Sequence, residues 1–250
     1  MRPSERNIRL LKQKILIVGD SLTAGHPGAR YISYLKRELP GVRIKSAGKG
    51  GRTLRDTALI LPSLMQRYHP DILVIETGTN DLLLPFLKER GGQWFHRIHE
   101  AEQKGGLPLP NPSHFQTVYE CSLKMLSTLG CRSPLLITIA CLGEDLETPL
   151  NRKRRIHNDV IRGLCANDGA CLVDTAARFE RMLSRKQRPN SYLLDDPGSI
   201  NDRLLKKLAR WSDSLSRKRG LRLTIDGVHF NRRGARIYAR VVSNTLRKFL

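Results

Sequence analysis

No apolar run in this 250-residue chain approaches the roughly 18 to 20 residues that a helix needs to cross a bilayer. The longest, residues 15–18 and 135–142, are short or interrupted, so a membrane-spanning helix is not expected. The first fourteen residues are basic and polar, and the apolar stretch after them stops at Gly19-Asp20, too soon for the core of an export leader. The five cysteines are odd in number and never spaced as C-x-x-C, which argues against a disulfide framework or a zinc ribbon. They read as mostly buried free thiols in a reducing compartment, so a cytoplasmic location is expected. Acidic residues are scarce: 23 stand against 44 Lys and Arg, a formal charge of +21. A field of that sign attracts nucleic acid, acidic lipid, acidic polysaccharide and small anionic substrates alike, so charge alone names no function. Aromatic residues make up only 6%, which leaves little for stacking on bases. The nucleotide-binding patterns G-x-G-x-x-G and G-x-x-x-x-G-K-[ST] are missing, as is the G-x-S-x-G elbow of α/β-hydrolases.

What is present is alternation. Short β-branched apolar runs at 14–18, 42–47, 71–77, 134–141 and 170–174 are separated by segments with helical spacing, such as Tyr31, Leu35 and Leu39, or Ile156, Val160, Ile161 and Leu164. Strands that are apolar on both faces need helices on both sides, and their crossovers are right-handed. The pattern therefore predicts an α/β fold: a three-layer α/β/α sandwich around a five-stranded parallel sheet. After the fifth strand, Leu204, Leu205, Leu208, Trp211 and Leu215 mark an amphipathic helix behind the box at residues 199–202. A last helix is expected from Asn231, with Ala235, Tyr238, Val241, Val242, Thr245 and Phe249 along its stripe. The whole chain, 1–250, reads as one domain with an insertion at about 82–112. That stretch either caps a ligand site with Trp94 and Phe95 or makes a helical excursion over the sheet edge.

Ligands of open parallel sheets sit beyond the carboxyl ends of the strands. The residues found there are Gly19-Asp20-Ser21-Leu22 after the first strand and Gly48-Lys49-Gly50-Gly51-Arg52-Thr53 after the second. Gly78-Thr79-Asn80-Asp81 follows the third, and Asp226-Gly227-Val228-His229 precedes the last helix. Each has an ordinary explanation when taken alone. Ser21 and Asn80 are good helix caps, the glycines suit a tight turn, Asp226 suits a turn, and a lone histidine is more often a core or surface residue. Taken together they supply every part that ester hydrolysis requires: a hydroxyl, an imidazole, a carboxylate to orient it, and donors for an oxyanion.

The four blocks, in this order and across nearly the whole chain, resemble those of the SGNH, or GDSL, hydrolase family. In many members an asparagine opens the glycine block, where this chain has Ser46. The resemblance implies a flavodoxin-like sandwich and a serine esterase that needs no metal or organic cofactor. It makes Ser21 the nucleophile, His229 the general base and then acid, and Asp226 the group that orients the imidazole. The oxyanion donors it implies are the backbone N–H groups of Ser21 and Gly51 and the side-chain amide of Asn80, while Asp20 supports the turn. The substrate class it implies is a small-molecule, carbohydrate or lipid ester. The charge adds the expectation of an anionic carrier or polyanion contact, and the oligomeric state is left open.

A different class of function fits the basic runs 152–155 and 217–219 and the pair Arg232-Arg233. They suit a polyanion- or nucleic-acid-binding protein on an inactive hydrolase scaffold, or simply solvated helix faces.

Overall fold

The computed structural model describes residues 13–103, 105–131, 133–184, 190–194 and 212–250. Five strands, β1 (Lys14–Gly19), β2 (Arg43–Gly48), β3 (Ile72–Glu76), β4 (Leu135–Ile137) and β5 (Cys171–Val173), form one all-parallel sheet in the order β2-β1-β3-β4-β5. This is the flavodoxin-like order, whose strand reversal opens a crevice between β1 and β3. Among the described residues the helices are α1 (Ser21–Ala24), α2 (Tyr31–Glu38), α3 (Leu54–Tyr68), α4 (Thr79–Glu89), α5 (Gly92–Gln103), α6 (Pro112–Thr128), α7 (Pro149–Asn167), α8 (Thr175–Leu183), α9 (Ser212–Lys218) and α10 (Arg232–Leu246). No helix among the described residues is long and apolar enough to cross a membrane.

The two-sided strands divide their side chains by parity. Ile15, Ile17, Ile72, Val74, Leu135 and Ile137 pack with Tyr31 and Leu35 of α2, Phe179 of α8 and Tyr238 and Val242 of α10. Leu16, Val18, Leu73, Ile75 and Leu136 pack with Leu61 of α3, Leu83 of α4, Phe115 and Tyr119 of α6 and Ile161 of α7. Each buried Leu, Ile or Val contributes about 1.5–3 kcal/mol relative to exposure, so both layers are held by the same central strands. Helix starts follow the cap chemistry. Asn231 Oδ1 accepts the Gly234 N–H at 2.9 Å at the head of α10, and Thr53 with Asp56 closes a reciprocal box on α3.

Two expectations, for the fourth strand and for the burial of the cysteines, need correction. Only residues 135–137 of the fourth apolar run pair as strand. Beyond them the chain stays buried, but its Ile139 and Leu142 N–H groups go to the side chains of Asn158 and Asn151 on α7. The segment 82–112 is largely helical. The helix opened by Thr79 continues to Glu89, α5 follows, Trp94 packs against the core, and Phe95 lies exposed with its ring stacked on His99. Of the free cysteines only Cys141 is buried, and Cys121 is exposed. The box at 199–202 and most of the apolar face at 204–215 lie outside the described residues, and Leu215 is on α9.

Candidate active site

All four blocks meet at the carboxyl edge of the sheet. At the end of β1 the Asp20 carboxylate accepts the Leu22 N–H at 2.8 Å, which caps the single turn α1 and sets Ser21 at its first position. From the loop before α10, His229 reaches back so that its Nε2 lies 2.9 Å from Ser21 Oγ. The other ring nitrogen, Nδ1, is 2.7 Å from Asp226 Oδ2, while Asp226 Oδ1 accepts the backbone N–H groups of Val228 and His229 at 3.0 and 2.8 Å. With Nδ1–H donated to the carboxylate, Nε2 carries the lone pair and faces the hydroxyl. Hydroxyl, imidazole and carboxylate form one connected relay, spanning 208 residues of sequence.

Burial and charge tune this relay. Burial alone lowers the basicity of His229, but the facing Asp226 carboxylate, its hydrogen bond and the charge of Asp20 raise it above the ordinary imidazole value. Burial pushes Asp226 up, and the imidazolium with two backbone N–H donors carries it below the ordinary carboxylate range. Asp226 therefore stays ionised. His229 retains just 9% of its surface and Ser21 8%, enough to meet a ligand from one side.

Three amide groups implied as oxyanion donors lie on the loops and turns at this edge of the sheet. Ser21 N–H opens α1 with no acceptor among the described residues. Lys49 N–H donates to Gly19 O and Arg52 N–H to Lys49 O, closing a turn across Gly50-Gly51. Gly51 takes φ +75° there, a conformation that side chains resist, and its N–H also has no acceptor among the described residues. Asn80, in the first turn of α4, donates its amide to Arg52 O at 3.0 Å and faces Asp20 Oδ2 at 3.5 Å. Backbone and side-chain amides arranged in this way can receive a developing oxyanion. Its neighbour Asp81 accepts the N–H groups of Leu54 and Leu109, tying α3 and the approach to α6 to the start of α4. Burial pushes the Asp81 carboxyl up to about 7. Ser46, in place of the family's asparagine, donates to Thr23 O at 3.2 Å and so also supports the α1 turn.

Three contributors are not evident from the motifs. Glu144 is buried and accepts from the N–H groups of Arg222, Leu223 and Thr224 and the Thr224 hydroxyl at 2.7–2.9 Å, which anchors the segment leading to Asp226. Arg154, expected on a solvated face or a polyanion contact, is fully buried. It donates to Ile139 O and Ala140 O and pairs with Glu180 at 2.5 Å. Glu76 lies beneath the β1 turn. No group of three His, Cys, Asp or Glu side chains suited to a metal occurs among the described residues.

Solved structures with the same fold include the acetyl xylan esterase AlAXEase, 20% identical, with a TM-score of 0.62 and coverage of 92% of this chain and 98% of that one. Axe2, an acetylxylan esterase from Geobacillus stearothermophilus, is 19% identical with a TM-score of 0.63, covering 94% of each chain. LAE5, an alpha/beta hydrolase from the metagenome of Lake Arreo, Spain, is 16% identical with a TM-score of 0.59 and coverage of 95% and 94%. No curated protein sequence matches the chain. The profile of the GDSL-like Lipase/Acylhydrolase family matches residues 17–237, from within β1 to within α10, and on that match the chain belongs to this family of carboxylic ester hydrolases.

Proposed function

We propose that the protein is a serine esterase that works through an acyl-enzyme, with Ser21 as nucleophile, His229 as general base and then acid, and Asp226 as its orienting carboxylate. The observation that carries this reading is the unbroken relay from Ser21 Oγ through His229 to Asp226. His229 Nε2 takes the proton as Ser21 Oγ attacks the ester carbonyl. The N–H groups of Ser21 and Gly51 and the Asn80 amide hold the oxyanion. The tetrahedral intermediate collapses as His229 returns the proton to the leaving alcohol. Water, deprotonated by the same imidazole, then attacks the acyl-Ser21 carbonyl, and the acid departs as the proton goes back to Ser21. A fluorophosphonate probe should label Ser21, and the protein should hydrolyse members of a panel of acetyl, longer acyl and thioester substrates. Tight, salt-sensitive nucleic-acid binding with neither labelling nor hydrolysis would instead establish an inactive scaffold that binds polyanions.

For the substrate we propose an acyl or acetyl ester on a carbohydrate or anionic carrier. The similar solved structures include esterases of acetylated xylan, which supports a sugar carrier. Charge supports an anionic one. A cleft of about 290 Å³ between α8 and α10 is lined by Arg178, Arg236 and Arg240, and exposed Arg232 and Arg233 open α10 just after His229. Steering by such a field weakens as the Debye length falls from about 30 Å at 0.01 M salt to about 8 Å at 0.15 M. Over that range kcat/KM for an anionic ester should fall by roughly tenfold, while that for a neutral ester of the same acyl group stays nearly constant. Equal salt dependence of the two would remove steering from the account.

A further inference from the structure

Two carboxyl groups sealed beneath Ser21 take no part in the relay. Gly19 at the end of β1 and Glu76 at the end of β3 are register partners. A β-carbon at position 19 would stand 2.5 Å from Glu76 Oε2, so only glycine lets that carboxyl lie against the turn. There Glu76 Oε2 accepts the Asp20 N–H at 3.2 Å and the Thr23 hydroxyl at 2.9 Å, and Thr23 Oγ1 lies 2.8 Å from the Tyr31 hydroxyl. Asp20 is fully buried and Glu76 is 3% exposed, and the bond from Asp20 N–H to Glu76 Oε2 holds the two residues together. Between them they grip three things: the α1 turn, through Leu22 N–H; the end of β3; and the Asn80 amide, which faces Asp20.

No Lys or Arg side chain hydrogen-bonds to either carboxyl among the described residues. Arg52, from the turn before α3, directs its guanidinium to Gly19 O and Ala47 O. The Arg52 charge acts on both carboxyls, and the other titratable groups that face the pair are His229 from the loop before α10, Asp81 on α4, Tyr31 on α2, Tyr119 on α6 and Tyr238 on α10. Asp226 acts on it only through His229. Two adjacent carboxyls out of water, without a bonded cation, do not both ionise at neutral pH.

We infer that Asp20 and Glu76 hold one proton between them and act as a positioning pair that locks the Ser21 turn against the Asn80 amide, so that losing this proton at alkaline pH loosens the oxyanion site. Burial raises both carboxyls, and the charge of Glu76 raises Asp20 further, which agrees with retention of the proton. The catalytic consequence rests on the esterase reading of Ser21; the proton inventory does not.

Glu76→Gln supplies a fixed N–H in place of the shared proton and an oxygen for Asp20 N–H and Thr23. Glu76→Ala supplies neither. On a neutral ester, Glu76→Ala should lower kcat about 100-fold, with KM within about threefold, because the reacting groups are displaced rather than removed. Glu76→Gln should recover most of that loss, keep the acid limb set by His229 and lose the alkaline limb of the wild-type profile. An unchanged alkaline limb in Glu76→Gln, or a loss as large as that of Glu76→Ala with the fold intact, overturns the inference. A second measurement needs no hydrolysis. The native pair keeps a proton that the unfolded chain releases, so it contributes stability to urea that is present below the ordinary carboxylate range and falls as pH rises toward the pair's raised folded value. In Glu76→Gln that fall should be shallower by about one bound proton, and identical slopes overturn the inference. If Ser21→Ala hydrolyses esters as fast as the wild type, the serine assignment fails while the unfolding curves still decide the pair.

Discussion

Ser21→Ala should hydrolyse esters about 10⁵- to 10⁶-fold more slowly than the wild type, with His229→Ala falling to a similar level. Both variants should keep the fold. Neither side chain belongs to the two apolar clusters that hold the sheet, and the α1 turn is capped by Asp20, not by the serine hydroxyl. The losses should be far from additive, since a hydroxyl without its base and a base without its hydroxyl are equally idle. The double variant should therefore be no slower than either single one. What activity remains comes from the amide donors acting on attack by water. The measurement is kcat/KM on a neutral acetyl ester, with circular dichroism and thermal unfolding to confirm the fold. Near-normal turnover by pure Ser21→Ala would show that another group attacks the ester. Additive losses would show that Ser21 and His229 do not act as one unit.

The residues of the candidate site were legible in the sequence because each is tied to a local signal. Ser21 follows a β-branched run that can only be a central strand. Asn80 follows another, and Asp226 and His229 precede an Asn cap with a helical stripe behind it. The sheet was legible for the same reason, since alternating burial of Ile15 and Leu16, or Ile72 and Leu73, demands helices on both faces. What the sequence hid depends on partners far along the chain. Residues 138–141 read as strand because they are apolar and buried, yet side-chain amides on α7 replace the neighbouring strand as hydrogen-bond partner to the chain at Ile139 and Leu142. Arg154 sits in a basic run and carries no mark of its burial, which is set by Glu180 and by carbonyls 14 and 15 residues away. Glu144 gives no hint that it collects four donors from residues 222–224. Glu76 ends an apolar run, and its carboxyl meets the Ser21 turn only through the register of β1 with β3.

Asp226→Asn should lower kcat by about 10³- to 10⁴-fold while leaving KM nearly unchanged. Asparagine can still accept the Val228 and His229 N–H groups through its oxygen, so the loop keeps its shape. At the position of Oδ2 it then presents N–H to His229 Nδ1, a donor where the wild type has an acceptor. The imidazole answers by placing its proton on Nε2, and the atom facing Ser21 Oγ no longer has a lone pair to receive a proton. The pH profile should shift in a direction that separates this from simple disorder. In the wild type the Asp226 charge raises His229 above an ordinary imidazole, so activity, which requires the neutral ring, is lost on acidification from a higher pH than for free imidazole. In Asp226→Asn the opposing effect of burial is unbalanced, so the acid limb should move to lower pH even as the plateau drops. Stability follows the same charges. Asp226 is held low in the folded state and contributes stability present above the unfolded carboxylate value and lost as pH falls through the folded one. Asp226→Asn should therefore show a weaker loss of stability on acidification than the wild type. A variant whose acid limb stays in place while kcat falls would mean that Asp226 orients the ring without setting its charge, and an acid limb that moves upward would contradict the electrostatic account altogether.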